Sequence, residues 1–495
     1  MRMHDGAEGL TRFCARDEIG GLRAVPQDLC AISILPLSQF VPVILNLTQT
    51  LAVARSMPSS PLRKKEKRTM STHEETSLSG AVSRRRFLKG AAAAAAVVQV
   101  AHTNLAGAQE QSTENYRGGG GHSGSRSFAY LGTYTDAVGN GGNGQGIYLY
   151  ESDPRSGELT LIKLAATTPS PSFLAASPSG NYLYAVNEVS NFDGTNGSVS
   201  AFAVNRRTGD LTFLNTVSSQ GGGPAFLSLD ATGRFIFVAN YGTGSLAVVP
   251  INKDGSVGAA VDVHVDTGDV GPTTATNAPP GSFAFSGHDA PHVHCAIADP
   301  NNKFVLQTDL GQDRIYVYSF DASSGKLTPA DTPYVALPPG DGPRHLKFHP
   351  NGRWLYSIQE ESSTLAFFKY DQSTGGLIPQ QTISALPPGF SGSSFASELQ
   401  ISDDGRLLYA ANRLHDSVAV FSINFKGELK YVGEAATRGD YPAQFTLDPT
   451  GNFLYSCNQR GDNLTSFRID PQTGVPKFIG QYVAAGSPGC LLFLP

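Results

Sequence analysis

His349–Glu360 reads HPNGRWLYSIQE: a polar turn containing glycine, then an aromatic residue, then a strand whose side chains alternate in character. The same order returns as SPSGNYLYAVNE (177–188), DATGRFIFVANY (230–241), DPNNKFVLQTDL (299–310), SDDGRLLYAANR (402–413) and DPTGNFLYSCNQ (448–459). A seventh strand, FAYLGTYT (128–135), lacks the turn before it. Each is followed by a third strand, such as DRIYVYSF (313–320), and by a fourth beyond a short turn, such as GDLTFLNT (209–216). Four short strands recurring at about fifty residues predict a β-propeller. Glycine at 54 residues and charged residues at only 16 % suit many turns and short strands rather than long surface helices.

The ends of the repeat array complement each other. The first unit has strands two to four, and PGCLLFLP (488–495) is a spare first strand. Joining one to three predicts seven complete blades over residues 127–495, an all-β seven-bladed propeller closed by its own C-terminal strand. An open solenoid of the same repeats would leave an exposed sheet edge.

The chain before residue 127 reads differently. Ser83–Lys89 is SRRRFLK, followed by the apolar AAAAAAVVQV and then Ala106-Gly107-Ala108. Basic region, modest apolar stretch and small-residue cleavage site together make a twin-arginine export signal over residues 70–108. Its partner is the twin-arginine export machinery, cleavage falls near Ala108, and the folded protein is destined for the periplasm or the exterior. Met70 gives this signal an ordinary n-region, so residues 1–69 are expected to be a misassigned start or a disordered extension. Their VPVILNLTQTLAVA (41–54) is interrupted by polar groups and too short for a stable membrane span. Residues 109–126 read as a disordered Gly/Ser-rich linker.

Beyond Ala108 there are 23 Lys and Arg against 34 Asp and Glu, a net charge near −11. That excludes nucleic acid and an anionic membrane surface as partners, and any anion site has to come from local arginines. Cys295, Cys457 and Cys490 are too few and too scattered for a disulfide framework, and their apolar strand contexts predict buried free thiols. A monomer is expected.

In a propeller the first strand of each blade lines the axis, and its start lies beside the end of the second strand. The residues aligned at the first place are Ser172, Ala225, His294, Arg344, Ser397, Ala443 and Gly489. Small residues are the rule there, and His294 and Arg344 break it in neighbouring blades. The next column runs Phe173, Phe226, Cys295, His345, Glu398, Gln444 and Cys490. At the end of strand two stand Thr133, Asn187, Asn240, Asp309, Gln359, Asn412 and Asn458, a polar set that reads as side chains bonding local backbone. One residue on, the column is Tyr134, Glu188, Tyr241, Leu310, Glu360, Arg413 and Gln459. Blades four to six therefore bring His294, Arg344, Glu360 and Arg413 to one mouth. That pattern fits a site or a surface ion-pair cluster. The long Gly/Pro-rich segments entering these blades (267–292, 337–345 and 386–398) favour a site, because they can wall the mouth or cover it. His292, His345, Glu398, Asp309, His415 and Gln459 are candidate substrate-binding residues around it, although Asp309 and Arg314 also suit a turn ion pair.

PHVHCAIADPNNKFVLQTDLGQDR (291–314), GPRHLKFHPNGRWLY (342–356), SELQISDDGRLLYAANRLHDS (397–417) and YLGTYT (130–135) resemble the lactonase family of seven-bladed propellers, which includes propeller-type 6-phosphogluconolactonases and fungal muconate-lactonizing enzymes. The resemblance covers about residues 127–495. It implies a catalytic histidine, two arginines and a glutamate at His294, Arg344, Arg413 and Glu360. The family's common Asn-Glu at the end of blade five's second strand is Gln359-Glu360 here, which changes the amide and keeps the acid.

Hydrolysis of a small anionic lactone then needs water activated near an ester carbonyl and a stabilised oxyanion. Glu360 or His294 can serve as base, while Arg344 and Arg413 can hold the oxyanion or a substrate anion. The absence of a GxSxG motif argues against a serine acyl-enzyme. His292-Val293-His294 is a weak metal signal, so no metal or other cofactor is expected. A muconate-type cycloisomerase and a non-enzymatic binding propeller are the alternative readings.

Overall fold

A computed structural model describes residues 127–135, 141–282 and 287–495. The expected extension (1–69), export signal (70–108) and linker (109–126) lie outside the described residues.

The described chain forms seven four-stranded antiparallel sheets. Six take their strands in sequence order. The remaining one, blade one, has the order Pro488–Phe493, Ser127–Thr133, Ile147–Ser152, Leu159–Ala166. Its inner pair matches Ala129 with Phe493 and Leu131 with Leu491. Blades four, five and six begin at Val293, Pro343 and Ala396, the first residues of their inner strands. No described helix is long and apolar enough to cross a membrane.

The repeated turn has a physical reason at each position. Asp230, Asp299 and Asp448 each accept the two backbone N–H groups that open the following strand, as Asp230 Oδ1 does from Arg234 and Phe235 at 2.7 and 2.8 Å. Gly180, Gly233, Asn302, Gly352, Gly405 and Gly451 occupy one left-handed position, with φ between 58 and 70°. Only glycine or asparagine enters that region readily.

Packing between blades uses the aromatic residues of the second strands. Tyr130, Tyr184, Phe237, Tyr356, Tyr409 and Tyr455 are all essentially sealed from solvent. Each such ring contributes on the order of 2 kcal/mol by burial. Several also bridge blades by hydrogen bonds: Tyr130 Oη donates to the Gly209 carbonyl at 2.9 Å, and Tyr356 Oη to that of Gly427 at 2.7 Å. Cys295, Cys457 and Cys490 are free and buried.

The polar column at the end of the second strands is fully buried, and most of its members bond backbone as expected, whereas Asn458 Nδ2 donates to Asn463 Oδ1 and Thr465 Oγ1. Asn187 Nδ2 donates to the Pro169 carbonyl, Asn240 Nδ2 to that of Ser219 and Asn412 Nδ2 to that of Ala385. Asp309 Oδ1 accepts from the backbone of His292 and Gln312. The alternative turn ion pair between Asp309 and Arg314 does not form. Arg314 instead donates to Tyr316 Oη and lies over the Tyr334 ring, although it stands directly opposite Asp309 in the ladder.

Candidate active site

A feature of the backbone that the sequence did not disclose aims the side chains. In blade five Pro343 pairs with Gln359 and His345 with Ile358, so Arg344 is an extra residue with no partner across the ladder. The same bulge leaves out His294 in blade four, Ala225 in blade three and Ala443 in blade seven. A bulged residue is turned relative to its neighbours, which is how these positions come to face the mouth.

The facing column is fixed just as regularly. Backbone N–H groups of Tyr134, Glu188, Tyr241, Leu310, Glu360, Arg413 and Gln459 donate to the carbonyls of Ser487, Ser170, Gly223, His292, Gly342, Phe395 and Tyr441. These seven bonds tie each second strand to the entry of its blade's first strand. Together the two columns supply most of the wall of a 610 Å³ cavity. That volume suits a small-molecule ligand.

Glu360 is the electrostatic centre. Arg344 Nε donates to its Oε2 at 3.1 Å, and Arg413 Nη2 lies 2.7 Å from its Oε1. All three side chains are 9–12 % exposed, so water screens the ion pairs weakly. The arginines are themselves aimed: Arg344 Nη1 donates to the Ser397 carbonyl at 2.6 Å, and Arg413 Nε to that of Phe395 at 2.8 Å. Burial pushes the Glu360 carboxyl up, but Arg413 and Arg344 outweigh it and hold the group below the usual carboxylate range. Glu360 is therefore an anion at neutral pH.

His294 stands beside this triad, its ring centre 5.1 Å from that of His345 and 5.4 Å from that of Tyr241. Its Nδ1 is buried without a hydrogen-bond partner. Burial, then the nearby Arg344 and His345, depress its pKa well below the ordinary value. The imidazole is neutral at pH 7.

The expected site residues divide into two groups. His294, Arg344, Glu360, Arg413 and Gln459 line the cavity, whereas His292, His345, Glu398, Asp309 and His415 do not. His292 stacks on Tyr241 at 4.3 Å and bonds Asp289. His345 lies beneath the cavity, with its Nδ1 3.2 Å from Glu398 Oε2 and its ring against Phe226 and Phe173. Those groups form the floor. Asp309 Oδ1 is held by the backbone N–H groups of His292 and Gln312, and His415 is occupied by Ser417 Oγ at 2.8 Å.

Sequence reasoning missed Tyr134, Glu188, Tyr241, Tyr441 and Arg460 as lining residues. The first three occupy the same column as Glu360, so the signal was present. Concentrating on blades four to six hid it, because the column closes into a ring. Among the described residues, no group of three or more His, Cys, Asp or Glu is placed to hold a metal ion.

A closed seven-bladed propeller with buried arginines, a carboxylate and a neutral histidine at one mouth defines a class of enzyme that works on a small polar ligand. The chain belongs to the lactonase family of seven-bladed β-propellers, whose family model matches residues 128–493. It is 34 % identical over 368 residues to the 6-phosphogluconolactonase of Bacillus subtilis, covering 74 % of this chain and 98 % of that protein. The Formosa agariphila 6-phosphogluconolactonase is 31 % identical, with 74 % of this chain and 99 % of that one covered. Among solved structures, the periplasmic gluconolactonase of Pseudomonas aeruginosa superposes with a TM-score of 0.67 at 31 % identity, covering 75 % and 99 % of the two chains. The protein is an enzyme of the lactonase type.

Proposed function

We propose that this enzyme hydrolyses a small sugar-acid lactone, with His294 activating water and Arg344 and Arg413 holding the carbonyl oxygen or a substrate anion. One observation carries the assignment: an ionised Glu360 gripped at both oxygens by buried arginines, beside a neutral histidine, on the wall of a polar cavity. Glu360 would have to release an arginine to accept a proton, which favours it as the anion that orients the two guanidinia. His294 is unprotonated and free to act as base.

In this mechanism water attacks the ring carbonyl carbon as His294 takes its proton. Negative charge collects on the carbonyl oxygen, where a guanidinium edge stabilises it. Collapse expels the ring oxygen, which recovers the proton from His294, and the open-chain hydroxy acid leaves. An anionic substrate also offsets the arginine charge that depresses His294, so binding raises the basicity that the reaction needs.

The test is hydrolysis above the spontaneous rate by the purified protein, on 6-phosphogluconolactone, gluconolactone and muconolactone. We expect turnover that falls at least about a hundredfold in His294→Gln and Arg344→Ala, the usual weight of a general base or an oxyanion donor. Turnover retained in both variants would overturn the assignment, and no turnover on any lactone would favour a binding propeller.

We also propose export. The twin-arginine sequence at Ser83–Lys89 supports it, as does the periplasmic location that the P. aeruginosa relative carries in its name. Cell fractionation that finds the protein wholly in the cytoplasm would refute this.

A further inference from the structure

Three arginines reach the cavity wall, and the network around Glu360 uses two of them. The third, Arg460, follows Gln459 at the outer rim of blade seven. Its guanidinium carbon lies 3.6 Å from the centre of the Tyr441 ring, and that of Arg413 lies 5.2 Å from the same ring. Stacking fixes the plane of a guanidinium while leaving its N–H groups free to bond at the edge.

The platform is held in place. Tyr441 has φ of +64°, a left-handed conformation that is costly for a bulky residue. Two hydrogen bonds keep it there: its N–H donates to Asp416 Oδ1 at 2.8 Å, and its carbonyl accepts from Gln459 N at 3.0 Å.

Nor is Arg460 paired directly, although Asp416 lies near enough to feel its charge. Asp462 shares the cavity wall and is the nearest acid along the chain, but both its oxygens are committed. Oδ1 accepts from Ser487 N at 2.8 Å, and Oδ2 from Asn143 Nδ2 at 2.9 Å. Arg460 has no ion pair among the described residues. A guanidinium laid flat on a ring, with no direct ion pair and at the rim of a cavity that two other arginines line, suits a negative group.

Resting on the lactonase reading above, we propose that Arg460 is a specificity-determining residue that binds a second anionic group of the lactone. That group, a phosphate ester or a carboxylate, sits on the far end of the substrate from the carbonyl held at Arg344 and Arg413. Bidentate contact with such a group is what a guanidinium edge offers and a lysine does not.

The experiment measures kcat and KM on 6-phosphogluconolactone, glucarolactone and uncharged gluconolactone, for the wild-type protein, Arg460→Gln and Arg460→Lys. Loss of one charged contact should lower the preference for the charged over the uncharged lactone by about 10–100-fold in Arg460→Gln. The loss should fall on KM, and Arg460→Lys should recover part of it. Which charged lactone loses more tells phosphate from carboxylate. An unchanged preference, or an equal loss on all three lactones, would overturn the proposal.

Inorganic phosphate titrated calorimetrically into wild type and Arg460→Gln separates this failure from that of the lactonase reading. Weaker phosphate binding in the variant supports the anion site even if no lactone is turned over. Equal binding in both proteins sinks it.

Discussion

Replacing Glu360 by glutamine tests the site at its centre. The substitution keeps the shape and removes one charge. Arg344 and Arg413 then remain buried cations, with contacts of 3.1 and 2.7 Å to a group that no longer neutralises them. Breaking a buried ion pair by deleting one partner costs about 3–5 kcal/mol, and water screens this one little. The loss can be read by urea denaturation, with the single tryptophan as probe. Trp354 packs against His349 and Phe367 within blade five, the blade that carries Glu360. We expect a lower midpoint with an unchanged slope. Added phosphate should restore part of the stability by filling the vacated anion position, by about 2.7 kcal/mol at a hundred times its dissociation constant. The same phosphate should stabilise the wild-type protein less. A loss under about 1 kcal/mol would mean that other groups already balance the arginines, and the reasoning fails.

Other consequences follow from the same structure. Burial, and then Glu360, push the Glu361 carboxyl up to about 9 from an ordinary 4.5. The folded protein thus keeps a proton that the unfolded chain releases, and stability falls as pH rises from 4.5 toward 9, by at most about 1.4 kcal/mol per pH unit. Glu361→Gln should flatten that slope in denaturation curves at several pH values, and an unchanged slope would contradict it. Deleting Gly489–Pro495 removes Cys490, Leu491 and Phe493 from blade one's inner strand and bares the edge of Ser127–Thr133; aggregation or a large drop in Tm is expected, and an intact melt would refute the closure. Tyr356→Phe removes the 2.7 Å bond to the Gly427 carbonyl and should cost about 1 kcal/mol, and no change in the denaturation midpoint would count against that bridge. Cys295, Cys457 and Cys490 should react with a thiol reagent only on unfolding; fast labelling of the native protein would show that the strands around them open.

Much of this was legible in the sequence because the propeller repeats itself. Six copies of one turn gave the period, and the spare strand at 488–495 gave the blade count. Comparing columns across blades then isolated His294, Arg344, Glu360 and Arg413, since only a repeat supplies internal controls. What stayed hidden was the direction of side chains. His345 sits one residue beyond the bulge, where the ladder turns it into the floor rather than the cavity, and Glu398, itself without a partner across its ladder, bonds it there. Asp309 looks ionisable in the sequence, yet its carboxylate is spent on the backbone of His292 and Gln312. Arg460 and Tyr441 escaped notice because their meaning lies in a stacking contact between two segments, which spacing along the chain does not encode.

The bulge at the start of the first strands has a last consequence. Because it recurs in blades three, four, five and seven, the mouth behaves like a dial with several fixed seats. The fold asks only that most seats be small. A new functional group can therefore be installed at Ala225 or Ala443 without redesigning a strand, but it can enter only at those fixed bearings. Reach along each bearing is set by side-chain length alone. The geometry open to such an enzyme is thus a short menu of discrete angles, and the present chemistry occupies only part of it.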